Sequence, residues 1–126
     1  MILVDTNILI DFFNAPTPEA AAVFLYNNVA TCGIVHAELL HGSKDEKDSA
    51  AIQAMLSGLG YVELTKDDWT QVGLLLARLR GCGLSVPMAD AIIAYLALRE
   101  DAEIWTNDRH FTLMKAVLPG MRLFEP

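Results

Sequence analysis

A chain of 126 residues, 53% apolar and 20% charged, fits one compact domain spanning residues 1–126 and leaves little room for a second. A mean hydropathy of +0.33 excludes intrinsic disorder, and no apolar run reaches the ~18 residues needed to cross a bilayer. Nine Lys and Arg against sixteen Asp and Glu give a net charge of −7, which argues against an extended basic footprint on nucleic acid. Carboxylates that hold divalent cations would count as negative charge yet present a positive site once loaded. The opening Met1–Asp5 lacks the basic region of a signal peptide. Cys32 and Cys82 make neither a C-x-x-C motif nor a disulfide framework, so the expected location is cytoplasmic.

In chain order, the apolar run Met1–Val4 reads as a first strand ending at Asp5. Pro16-Thr17-Pro18 then introduces a helix over Glu19–Tyr26, with Pro and acid favourably near its start. Thr31–Val35 reads as a second strand, and Val35–His41 as a helix stopped by Gly42. A helix follows over Asp45–Leu56, then a strand over Tyr61–Leu64. Thr65–Asp68 opens a longer helix carrying Trp69, Val72, Leu75, Leu76 and Leu79, ended by Gly81-Cys82-Gly83. Pro87 starts Met88–Arg99, apolar all round between Ala91 and Leu98 and therefore buried on most faces. Strands over Ile104–Thr106 and Arg122–Phe124 complete the chain. Strands alternating with helices imply an α/β fold, a parallel sheet covered on both sides.

In such folds ligands bind beyond the carboxyl ends of the strands. Asp5 follows the first strand, Asp108 follows Ile104–Thr106, Glu38 lies in the helix after the second strand, and Asp90 sits in the first turn of the most apolar helix. Taken singly, Asp5 and Asp108 have good N-cap chemistry, and Asp90 is favoured by the helix dipole. Glu38 lies among apolar neighbours, where a buried acid is rarely kept without a partner. Recurrence of all four at one end of the sheet favours an oxygen cage suited to Mg²⁺ or Mn²⁺ rather than Zn²⁺.

These segments resemble the motifs of PIN-domain ribonucleases. Asp5-Thr6-Asn7-Ile8-Leu9-Ile10 resembles the opening signature, and Glu38-Leu39-Leu40-His41-Gly42 the second motif. Asp90-Ala91-Ile92-Ile93-Ala94 resembles the third, and Thr106-Asn107-Asp108 with His110-Phe111 the fourth. The short chain looks most like the VapC-type toxins of prokaryotic toxin–antitoxin pairs. The resemblance implies a three-layer α/β/α domain with a mainly parallel sheet of four or five strands, and a Mg²⁺- or Mn²⁺-dependent endoribonuclease. By carry-over Asp5, Glu38, Asp90 and Asp108 form the acidic tetrad, with Asp5 and Asp90 the most direct metal ligands. Thr6 and Thr106 would orient the first strand's carboxylate and the attacking water, and Asn7 would brace the loop. The resemblance further implies a homodimer and an antitoxin whose tail places an Arg or Lys among the carboxylates.

His36, His41 and His110 are expected to be structural, because no H-E-x-x-H motif accompanies them. Asp11 is expected to face solvent. Arg109, beside Asp108, is the one cation that the sequence places near the acids and is the candidate RNA contact. Trp69, Phe12, Phe13, Phe24 and Tyr26 are expected in the core or an interface. Two other readings compete. A haloacid-dehalogenase-type phosphatase needs a second Asp two positions after the first, where this chain has Asn7, and a Lys near the acids. A non-catalytic scaffold of the same fold would be expected to lack one or more of the acids.

Overall fold

The structure, a computed structural model, describes Met1–Pro126. Its sheet has five parallel strands: β1 (Ile2–Val4), β2 (Val29–Cys32), β3 (Gly60–Val62), β4 (Glu103–Trp105) and β5 (Arg122–Leu123), in the order β3-β2-β1-β4-β5. Seven helices connect them: α1 (Thr6–Asn14), α2 (Pro18–Tyr26), α3 (Gly33–His41), α4 (Glu46–Ser57), α5 (Lys66–Gly81), α6 (Met88–Glu100) and α7 (Arg109–Val117). The chain runs from β1 outward to β3, then crosses back to β4 and β5 on the other side. Right-handed crossovers therefore set α1–α4 and α5–α7 on opposite faces. Packing of α3 on α1 and α4, and of α6 on α5 and α7, follows that division. The order reverses between β1 and β4, which makes the carboxyl ends of these two strands the place for a ligand.

The central strands and α6 carry the core. Leu3, Val4 and Ile104 are buried, and so are Ala91, Ile92, Ile93, Ala94, Leu96 and Ala97 around nearly the whole circumference of α6. An aromatic chain runs beside them, with Phe12 4.9 Å from Phe24, Phe24 5.0 Å from Trp105, and Trp105 5.7 Å from Phe124 between ring centroids. Trp69 and Tyr26 are not core residues, being 51% and 79% exposed. At the end of α5 the left-handed Gly83, with φ +83°, turns the chain so that the Leu84 N–H reaches the Leu79 carbonyl at 2.9 Å.

Strand β2 differs from the sequence reading. It spans Val29–Cys32, not Thr31–Val35, because α3 already begins at Gly33. The β-branched Ile34 and Val35 favour a strand by propensity, yet Val35 buries itself on the inner face of the helix. Tertiary burial outweighs a propensity worth only about 1 kcal/mol.

Asp68 ties α5 to α6. Its carboxylate accepts from the Tyr95 hydroxyl, from the backbone N–H and hydroxyl of Thr65, and from the Arg99 guanidinium. The Tyr95 bond and the two Thr65 bonds, helped by the Arg99 charge, hold this carboxyl down at about 2. A depressed carboxyl contributes stability above its ordinary value of 3.8, and that contribution is lost as pH falls through about 2. Asp68→Asn is therefore expected to melt below the wild type at pH 7, with the gap closing as thermal unfolding is followed down to pH 2.

Candidate active site

Asp5 emerges from β1 as the N-cap of α1, its Oδ1 accepting the Thr6 N–H at 2.8 Å. The pairing of Val4 with Trp105 brings the residue after β4 alongside, and the Thr106 hydroxyl donates to Asp5 Oδ2 at 2.8 Å. That same oxygen of Thr106 accepts the Asp108 N–H at 2.9 Å, so one hydroxyl joins both loops of the switch point. Asp108 caps α7, accepting the His110 N–H at 2.9 Å. Asp90 lies in the first turn of α6, and Glu38 reaches in from α3 to accept the Thr6 hydroxyl at 2.7 Å. Four carboxylates from four segments thus line one cleft of about 360 Å³.

The structure brings together all four predicted acids and both predicted threonines, and it corrects several details. Thr6 orients Glu38 through its hydroxyl and Asp5 only through its backbone N–H. Glu38 is exposed, because it faces the cleft and not the apolar side of α3. Asn7 lines the cleft rim and is exposed, and the bonds bracing the loops come from Thr6, Thr106 and Asn107. Asn107 donates to the exposed Asp11 at 3.2 Å. Arg109 lines an adjoining groove with Thr106, Asn107 and Asp108 rather than the acidic cleft.

Two histidines expected to be purely structural also belong here. His41 lines the cleft, and His110 places Nδ1 2.9 Å from Asp90 Oδ2 and 3.3 Å from Asp108 Oδ1. A sequence signal for His110 existed. A residue two after an N-cap lies in the first turn, near the capping carboxylate. The third histidine, His36, lies outside the cleft and packs edge-on against Tyr61 at 5.5 Å.

The electrostatics are those of converging, partly buried carboxylates. Burial raises the Asp5 carboxyl above its ordinary value against the Thr106 and Thr6 hydrogen bonds, and the charges of Asp108 and Glu38 add to the rise. Asp90 is likewise raised by burial and by the charges of Asp108 and Asp5, with the His110 bond opposing. No Lys or Arg lines the cleft. Uncompensated carboxylates, converging with free oxygens, fit an oxygen-seeking divalent cation such as Mg²⁺ or Mn²⁺. The missing lysine also removes the group that the phosphatase reading requires.

A PIN domain family model matches residues 2–116. The chain belongs to the PIN domain family. Ribonuclease VapC19 of Mycobacterium tuberculosis is 33% identical to it over 125 residues, covering 94% of this chain and 98% of the relative. Among solved structures, VapBC2 from Rickettsia felis bound to a promoter DNA fragment matches with a TM-score of 0.80 and 26% identity, over 98% of both chains. A toxin–antitoxin complex from Klebsiella pneumoniae matches with a TM-score of 0.71 and 26% identity, over the full length of both. The PIN assignment agrees with the parallel sheet and with the order of the motifs. No helix of this PIN domain is long and apolar enough to cross a membrane.

Proposed function

We propose that this PIN domain is a metal-dependent endoribonuclease that hydrolyses RNA phosphodiester bonds and serves as the toxin of a toxin–antitoxin pair. The observation that carries the chemistry is the convergence of Asp5, Glu38, Asp90 and Asp108 on one cleft without a compensating Lys or Arg. Likeness to a ribonuclease over nearly the whole chain supports RNA as substrate. Asp5 and Asp90 are the most buried of the acids and would hold Mg²⁺ or Mn²⁺ directly, with Glu38 and Asp108 completing the set. The bound ion would supply an activated water and neutralise charge on the scissile phosphate.

The remaining roles fall to the chain itself. Thr106 fixes both Oδ2 of Asp5 and the start of the Asp108 loop, so it sets the spacing between two carboxylates. Thr6 fixes Glu38 across the cleft. Water attack on phosphorus in line with a departing 3′ oxygen breaks the P–O3′ bond and yields a 5′-phosphate and a 3′-hydroxyl, with no need of the RNA 2′-hydroxyl. Thr106→Val removes the shared hydroxyl while keeping the side-chain shape. It is expected to lower activity by about 10- to 100-fold, with matching loss of metal affinity in calorimetry.

An anionic cleft without its own cation is also complementary to an Arg or Lys from an antitoxin tail. The toxin–antitoxin complex among the structural relatives supports that partner. Large exposed apolar residues, including Leu25 at 74% and Tyr26 at 79%, offer surface for the antitoxin or for a second copy in a homodimer. Purified protein freed of inhibitor should cut end-labelled total RNA with Mn²⁺ or Mg²⁺ and not with EDTA. Asp90→Ala should be inactive. Equal cleavage in EDTA or by the variant would overturn the proposal, and absence of both cleavage and Mn²⁺ binding would favour the scaffold reading.

A further inference from the structure

We infer that His110 is a direct ligand of the metal and that its nitrogen makes this site selective for Mn²⁺ over Mg²⁺; the inference rests on the metal-centre reading above. The four acids alone make an all-oxygen set with no reason to prefer either ion. His110 changes that chemistry. Its Nδ1 lies 2.9 Å from Asp90 Oδ2 and 3.3 Å from Asp108 Oδ1. One donor atom from each of Asp90, Asp108 and His110 falls within 4.8 Å of the others. Adjacent ligand atoms on an octahedral ion with bonds of about 2.1 Å are about 3.0 Å apart, so the nitrogen stands at ligand spacing from both carboxylates.

The placement is fixed by the fold. Asp108 caps α7 and accepts the His110 N–H, which anchors His110 in the first turn beside its own cap. Phe111, fully buried, locks that turn onto the core, and Asp90 approaches from the start of α6. Nδ1 thus faces one oxygen of each carboxylate, whichever ring nitrogen carries the proton. As a ligand His110 would offer its Nδ1 lone pair, with the ring proton on Nε2, and the 34% exposure of the side chain gives that proton access to water. A mixed set of carboxylates and one imidazole accepts Mn²⁺ well, whereas Mg²⁺ holds to oxygen ligands and its own waters.

Electron spin-echo measurements on bound Mn²⁺ detect a coordinated imidazole through its nitrogen. The full chain loaded with Mn²⁺ in the absence of RNA should show nitrogen modulation that disappears in His110→Ala and persists in His41→Ala. By calorimetry the Mn²⁺ Kd should rise at least tenfold in His110→Ala, while the Mg²⁺ Kd changes less than threefold. Circular dichroism of the same variants confirms that they are folded. Bound Mn²⁺ with no nitrogen modulation, or equal losses for both ions, overturns the His110 assignment and leaves the carboxylate centre standing. A wild type that binds no Mn²⁺ overturns both.

Discussion

Asp5→Asn is expected to reduce metal-dependent RNA cleavage by at least about a hundredfold, since a ligand to the ion is worth several kcal/mol in the transition state. The same substitution should raise the melting temperature of the metal-free protein. Asp5 is 5% exposed, and burial lifts its carboxyl above the ordinary 3.8. A raised carboxyl favours the folded state below its ordinary value, and this advantage is lost as pH rises through the raised one. At pH 7 the folded apo-protein therefore carries an unfavourable buried charge, which Asn removes while its amide oxygen still accepts the Thr6 N–H. Saturating Mn²⁺ should reverse the order, raising the wild-type melting temperature and leaving the variant unmoved. Calorimetric scans with and without Mn²⁺ check both signs. A variant less stable in both conditions would show that Asp5 serves as a helix cap alone.

Phe111→Ala has the largest expected effect on stability. Phe111 is fully buried and is the largest side chain in the core cluster with that degree of burial. Truncating a buried Phe costs about 3–5 kcal/mol, of the ~5–15 kcal/mol that holds an ordinary domain folded. In urea, the midpoint should fall in proportion while the denaturant slope stays unchanged. Because Phe111 anchors the first turn of α7, the variant should also lose activity at temperatures where it is still folded. A loss under 1 kcal/mol would mean that α7 is not held by the core in the way its burial indicates.

Much of this was legible in the sequence because the chemistry is local. An acid at or just beyond the end of an apolar strand, as at Asp5 and Asp108, signals both a helix cap and a candidate ligand. The apolar surround of α6 announced its burial, and Gly81-Cys82-Gly83 ended α5 where expected. What was not legible depended on contacts distant in sequence. The Thr106 hydroxyl meets Asp5 across 101 positions, and Thr6 meets Glu38 across 32. Only the β1–β4 register decides the first of these. Glu38 looked buried because its neighbours are apolar, but those neighbours turn inward while Glu38 faces the cleft. The absence of a histidine metal motif makes His110 read as structural, whereas its 2.9 Å contact with Asp90 makes it part of the site. The β2 boundary is illegible for a similar reason, since apolar β-branched residues suit a buried helix face as well as a strand.

The chemistry of the RNA ends tests the central claim most directly. Fragments made by the wild-type protein with Mn²⁺ should carry 5′-phosphates and 3′-hydroxyls, the products of water attack that expels the 3′ oxygen. They should be absent with EDTA and with Asp90→Ala. Fragments ending in 2′,3′-cyclic phosphates with 5′-hydroxyls, formed without metal, would contradict the account. They would point to the cleft histidines acting on the RNA 2′-hydroxyl.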